Sequence, residues 1–246
     1  MTGIIKWVTV ATLYCSSMLW PPAQSMTGLV FSLVFSCLSS LTLYHFTSAL
    51  ARGPGFLPLH WSPDNEQDCD QLQFCGQCQG YKAPRSHHCR RCNRCVMKMD
   101  HHCPWINTCV GHFNHAHFIM FLGSAVAGCS MATVCLSMSL YYGLNRTWYM
   151  YYGTGHEPQV ILTLWSLLGA LFGMGLALGV VIAVGMLLFF QVRKQFFFRH
   201  PINHFLCRSK QYLRIRQGLR IGSKKRLTSD CGTQTVHSCG LMTWVE

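Results

Sequence analysis

Apolar positions along this chain are bunched into runs. Trp7 to Trp20 carries no charge over 14 residues, short of the ~20 that a helix needs to cross a bilayer. Lys6 can snorkel and extend that run back to Ile4. Uncharged runs of 25 residues follow at 26–50 and 118–142, and the longest lies between Glu157 and Arg193. Pro21-Pro22 with Gln24-Ser25 punctuates the first two runs as a short turn. The runs thus fall into two pairs around a polar insert. They predict an all-α polytopic membrane protein of four transmembrane helices: a first helix pair over 1–50, the insert over 51–117, a second pair over 118–192 and a basic tail over 193–246.

Charge sharpens this picture. Only 11% of the 246 residues are charged, less than half the ~25% of an ordinary soluble domain, yet the net charge is +12. Of twenty Lys and Arg, seven lie in the insert and eleven in the tail, and the short loops between paired spans hold only Arg146. With Lys6, nineteen fall on one face, which the positive-inside rule assigns to the cytosol. The first run could instead be a cleaved signal peptide, and the insert would still be cytosolic. Asn145-Arg146-Thr147 is a glycosylation sequon on the expected lumenal side, close to the membrane. Gly169, Gly173, Gly175, Gly179 and Gly185 stud the last span, where small residues serve close helix approach or open a cavity.

Cysteine adds the chemistry. Fifteen are present, eight of them between Cys69 and Cys109, a clustering that speaks for metal rather than for a secreted disulfide scaffold. The run contains Cys75-x2-Cys78, His88-Cys89-x2-Cys92-x2-Cys95, His101-His102-Cys103 and Cys109. Thiols stay reduced in the cytosol, so repeated Cys-x2-Cys pairs with interspersed His indicate structural zinc. Two tetrahedral ions can be satisfied with one cysteine left over, and counting does not decide which. Asp100-His101-His102-Cys103 sets a carboxylate, an imidazole and a thiol within four residues, the ingredients of an activated thiolate. The alternative is that all of these are zinc ligands or their supports.

The stretch from Cys75 through Asp100-His101-His102-Cys103-Pro104-Trp105 to Cys109, Asn114 and Phe118 resembles the cysteine-rich domain of the DHHC family of protein S-acyltransferases, with every spacing in place. Lys82–Cys89 and Gly53–Phe56 are most similar to the endoplasmic-reticulum member that ends in an SH3 domain, for which this chain leaves no room. The resemblance implies one zinc on Cys75, Cys78, His88 and Cys95 and a second on Cys89, Cys92, His102 and Cys109, knotting a compact unit of short hairpins. It leaves Cys103 as the acylated thiol, His101 as general base and Asp100 as the group orienting His101. It further implies acyl-CoA as co-substrate, with Lys82, Arg85 and His87 meeting the CoA phosphates or, alternatively, anionic lipid. Membrane-associated proteins with cytosolic cysteines would be acceptors, with no nucleic acid partner. Residence would be in the endoplasmic reticulum, or else the Golgi. His112, His115 and His117 match no ligand position.

The chain departs from the family pattern in three places. Gly53-Pro54-Gly55 stands where the family usually has Asp-Pro-Gly. Nothing among Gln191–Asn203 resembles the family's Thr-Thr-x-Glu element after the last span. The first span is abbreviated. The tail offers instead a Phe196–Phe198 interfacial anchor and a basic stretch over 206–221 that either lies along anionic lipid or is a solvated, disordered tail, with Cys207, Cys231 and Cys239 as reduced thiols or further acylation sites. Two competing readings follow: a catalytically impaired membrane adaptor of the same family, and a cross-brace zinc-finger ubiquitin ligase, in which Asp-His-His-Cys would have no job.

Overall fold

The computed structural model describes residues 2–64, 66–155 and 157–198, so the tail segments expected after Arg199 lie outside the described residues. Helix α1 (Thr2–Leu19) turns at Pro21 into α2 (Met26–Arg52). Gln24 and Ser25 donate to the Pro21 carbonyl at 3.0 and 2.9 Å, and the Ser25 hydroxyl caps α2 by accepting from the Gly28 amide. After the cysteine module come α3 (His115–Leu144), a short α4 (Arg146–Tyr152) and α5 (Leu164–Phe198). Asn145 ends α3, and its side-chain amide donates to the Tyr141 carbonyl at 2.8 Å.

Helix α3 is the hub, packed most extensively on α5 and α2 and also on α1. Val8, Phe35, Ala132 and Ala177 meet at one level of the bundle. Gly173 is required by a close approach: a Cβ there would lie 3.3 Å from that of Ala11 and 3.5 Å from Leu136. Outward faces are apolar as well, as at Val30, Leu33, Phe172, Ile182 and Phe189. In the most apolar window of α5 only 11% of residues are buried, so its hydrophobicity faces outward, where only lipid could satisfy it.

Three of the described helices, α2, α3 and the Leu164–Lys194 part of α5, are long and apolar enough to cross a membrane, against the four expected. Helix α1 has 18 residues and reaches ~27 Å at 1.5 Å per residue, just under the ~30 Å hydrocarbon core.

Between α2 and α3 the module is built from three two-stranded antiparallel hairpins. Strands β1 (Phe74–Cys75) and β2 (Gly80–Tyr81) form the first, β3 (His87–Cys89) and β4 (Arg94–Val96) the second, β5 (His101–Cys103) and β6 (Thr108–Val110) the third. Gln79, Asn93 and Asn107 turn the three hairpins with φ between 47 and 49°, the left-handed region that Asn tolerates best after Gly.

The Gly53-Pro54-Gly55 turn, at φ 64 and 88° for its glycines, fastens the module to the end of α2. Met97 donates to the Gly55 carbonyl at 2.9 Å and Leu57 to that of Cys95 at 2.8 Å. Gly111 lies beneath this turn, where a Cβ would stand 2.5 Å from the Pro54 carbonyl oxygen. Fully buried Asn114 accepts from the Gly111 amide and donates to the carbonyls of Ala49 and Cys109. One side chain thereby ties α2, the third hairpin and the start of α3.

Candidate active site

The hairpins gather the Cys and His side chains into two clusters: Cys75, Cys78, His88 and Cys95, and Cys89, Cys92, His102 and Cys109, each with its ligand atoms within 4.8 Å of one another. Strand register does much of this. His88 faces Cys95 across β3–β4, and His102 faces Cys109 across β5–β6. Tetrahedral zinc with bonds of about 2.3 Å to sulfur and about 2.0 Å to nitrogen makes S···N edges of about 3.6 Å. The observed Sγ···Nδ1 separations are 3.4, 3.6 and 3.9 Å in the first cluster and 3.4, 3.6 and 3.7 Å in the second. Donor set and edge lengths together fit two zinc ions, which would staple hairpins too small to hold a core alone.

Alternation along β5 separates the remaining groups. Successive strand side chains point to opposite faces, so His102 turns to its cluster while His101 and Cys103 share the other face. That face meets the membrane helices. Cys103, 4% exposed, packs with Phe46, Ile106, Phe118 and Phe121, and the His101 ring stands edge-on to Phe118 at 5.5 Å between centroids.

The His101 Nδ1 lies 2.8 Å from Asp100 Oδ2. This leaves Nε2 for the Cys103 thiol, which shares the same face of β5 and interacts with the imidazole electrostatically. The Asp100 bond, seconded by Cys103, lifts the imidazole pKa to about 9. For Cys103, burial disfavours the thiolate, but the His101 imidazole and the backbone amides of Ile106 and Trp105 outweigh it and bring the thiol below its ordinary range. The His101 bond, with Lys194 and Gln191 behind it, holds Asp100 far below the usual carboxylate range. At neutral pH Asp100 therefore stands as a carboxylate and His101 as an imidazolium, and both favour the thiolate of Cys103.

Gln191 and Lys194 are the side chains that the sequence did not single out. From the end of α5, Gln191 Nε2 donates to Asp100 Oδ2 at 2.6 Å and Lys194 Nζ pairs with Oδ1. The available signal was their spacing of three, one helix face, at the end of an uncharged run.

Cys103 opens onto a cavity of about 360 Å³ between α1, α2, α3 and α5, within the usual range for small-molecule pockets. Its wall is overwhelmingly apolar, with Phe35, Leu122, Val180 and Leu187 among its lining, and Ser39 and Thr42 among the few hydroxyls. Along α5 it runs from Gly175 to Leu187, ~18 Å at the helical rise. The glycines of α5 divide accordingly: Gly173 serves helix packing, whereas Gly175 and Gly179 line the cavity.

The three residues expected at the CoA phosphates lie on the module's outside. Lys82 follows β2 and donates to Gln73 Oε1 at 3.4 Å, Arg85 occupies a turn at φ 61°, and His87 is exposed at the start of β3. His117, assigned no ligand position, pairs with His45 of α2 at 3.0 Å between Nδ1 atoms.

Comparison with known proteins places these features in context. The family model described as DHHC palmitoyltransferase matches residues 68–198. Palmitoyltransferase ZDHHC6 of Mus musculus is 42% identical over 201 residues, 78% of this chain and 49% of that protein, and the Homo sapiens protein of that name has the same identity and coverage. Probable protein S-acyltransferase 16 of Arabidopsis thaliana is 36% identical over 147 residues, 56% of this chain and 51% of its own. The chain spans about half the length of these curated relatives.

Proposed function

The chain belongs to the DHHC palmitoyltransferase family, and from that premise we propose that it is a protein-cysteine S-palmitoyltransferase with Cys103 as its nucleophile. The observation that carries this reading is a buried thiol, on one strand face with an imidazole bound to Asp100, at the mouth of a long apolar cavity. In the first step the Cys103 thiolate attacks the thioester carbonyl of a long-chain acyl-CoA. The bond to the CoA sulfur breaks, and the His101 imidazolium supplies the proton to the departing thiolate. In the second step His101 takes the proton of an incoming protein thiol, which attacks the Cys103 thioester and frees the enzyme thiol. One thioester replaces another, so no external energy source is needed.

The tail lies in the cavity, where each buried methylene contributes ~0.8 kcal/mol, while the CoA head stays in water near Lys82, Arg85 and His87. Two structural zinc ions hold the hairpins that present Cys103. Helix α1 serves as a fourth, short span. Its packing on α2, α3 and α5 supports this, and a bilayer as thin as that of the endoplasmic reticulum, ~27 Å of hydrocarbon, matches its length. The basic insert and tail then face the cytosol, where the acceptor cysteines of membrane-associated proteins lie. The impaired adaptor is the competing reading.

The deciding experiment gives the purified chain an alkyne-tagged palmitoyl-CoA. Hydroxylamine-labile label is expected on wild type and absent from Cys103→Ser. Label persisting in that variant would remove Cys103 from the mechanism, and an unlabelled wild type carrying two zinc ions per chain would establish the adaptor.

A further inference from the structure

Asp100 is bound from two directions that are ninety positions apart in the chain. Its Oδ2 accepts from His101 at 2.8 Å and from Gln191 at 2.6 Å, and its Oδ1 pairs with Lys194. A carboxylate held by His101 alone could swing about its side-chain bonds and carry the imidazole with it. With both oxygens engaged from α5, that rotation is stopped.

The residues supplying this hold are out of keeping with their helix. Gln191 is the first polar side chain after a long run of Leu, Val, Gly, Met and Phe, and it is 6% exposed. Its Oε1 has no hydrogen-bond partner, a loss of the order of 1–3 kcal/mol that an apolar residue at this position would not incur. An ionised carboxylate only accepts, so the amide must present Nε2 to Asp100 and leave Oε1 over. Lys194 lies three residues on, on the same face, while Arg193 between them is exposed on another. That face continues the stripe of Val184 and Leu187, which packs against the cluster around Cys103.

We propose that Gln191 and Lys194 are positioning residues that clamp the Asp100 carboxylate against His101, making the alignment of His101 with Cys103 depend on the docked end of α5. The proposal rests on the acyltransferase reading for its consequence and on the side-chain geometry for its substance. Its test is built so that the two can fail separately.

The full chain, purified in detergent with its zinc content measured, is compared with Gln191→Leu, Lys194→Met, Lys194→Arg and Arg193→Met, each also in an Asp100→Asn background. Two rates are followed at neutral pH: acyl label entering Cys103 from alkyne-tagged palmitoyl-CoA, and iodoacetamide alkylation of Cys103 by mass spectrometry of its peptide. Losing a charge-assisted hydrogen bond to Asp100 should slow both rates about tenfold in Gln191→Leu and about fivefold in Lys194→Met. Lys194→Arg should return to within about twofold of wild type, and Arg193→Met should not differ from it. In the Asp100→Asn background the Lys194→Met effect should shrink below about twofold, because interacting groups are non-additive.

Equal slowing by Lys194→Met with and without the Asp100 carboxylate would overturn the proposal, as would wild-type rates in both single variants. If Gln191→Leu alone loses zinc, Lys194→Met and its arginine rescue decide the matter. A wild-type chain that alkylates at Cys103 but takes no acyl label would refute the acyltransferase reading, and the alkylation series would still decide the clamp.

Discussion

Val180 offers the most direct test of what the cavity holds. It lines the cavity on α5, one helical turn from Leu176 at the deep end and seven residues from Leu187 near Cys103. Replacing it with phenylalanine puts a ring across the lumen and closes off the four residues' length beyond, ~6 Å at the helical rise. That length shelters roughly four methylenes at ~0.8 kcal/mol each, so a hexadecanoyl chain would lose about 3 kcal/mol of binding that a dodecanoyl chain never uses. At 1.36 kcal/mol per tenfold the expected loss is on the order of a hundredfold in the rate of Cys103 acylation by subsaturating long-chain acyl-CoA. The shorter chain should stay within about threefold of wild type, and Val180→Ala should shift preference toward longer chains. The assay is competition between acyl-CoAs of graded length for Cys103, read by mass spectrometry of the intact protein. A Val180→Phe enzyme that slows long and short chains by one common factor, or keeps the wild-type length profile, would show that the acyl tail does not run along α5.

Two further expectations concern the module. Gly111→Ala drives a methyl to 2.5 Å from the Pro54 carbonyl and 3.0 Å from that of Met97; both are backbone atoms that cannot step aside. A loss of about 2–3 kcal/mol is expected, seen as a lowered thermal midpoint in detergent, and an unchanged midpoint would mean that the turn does not bear on the third hairpin. The second concerns pH. The Cys103 thiolate is favoured by His101 and two backbone amides against its own burial, so its pKa lies below the ordinary 9.0, while that of His101 is about 9. The thiolate–imidazolium pair therefore occupies the window between them. Alkylation of Cys103 should persist below pH 9.0 and fall as pH drops through the lowered thiol value. Removing the imidazole in His101→Ala should move that midpoint upward, and an unmoved midpoint would show that His101 does not support the thiolate.

How far such features can be read from residues alone depends on the distance over which they act. Ligand spacing at Cys75, Cys78, His88 and Cys95 is local, so metal binding was legible without coordinates. The division of labour between His101 and His102 was also within reach, since it follows from the two-residue period once 101–103 is taken as a strand. Reading that triplet as strand required the partner β6, whose register with β5 is a matter of packing. Farther still, no local pattern announces that Gln191 and Lys194 meet Asp100 more than ninety positions away. The glycines of α5 show the same limit: their spacing was visible, but which of them touches a helix and which borders space is set by the rotation of α5 against α1 and α3. For the first run, charge and length gave an accurate warning, because α1 is a helix of 18 residues outside the three long and apolar enough to cross a membrane.

The second hairpin carries a consequence for metal economy. Its strands lend His88 and Cys95 to one cluster, while Cys89 at the end of β3 and Cys92 in its turn go to the other. Neither ion can leave without loosening the peptide that grips its neighbour, and His102, beside the nucleophile, belongs to the second set. Demetallation should thus proceed as one event, with no half-loaded form that keeps its shape. Zinc supply would then govern how much of this protein is competent in a cell, and not how well each competent copy works.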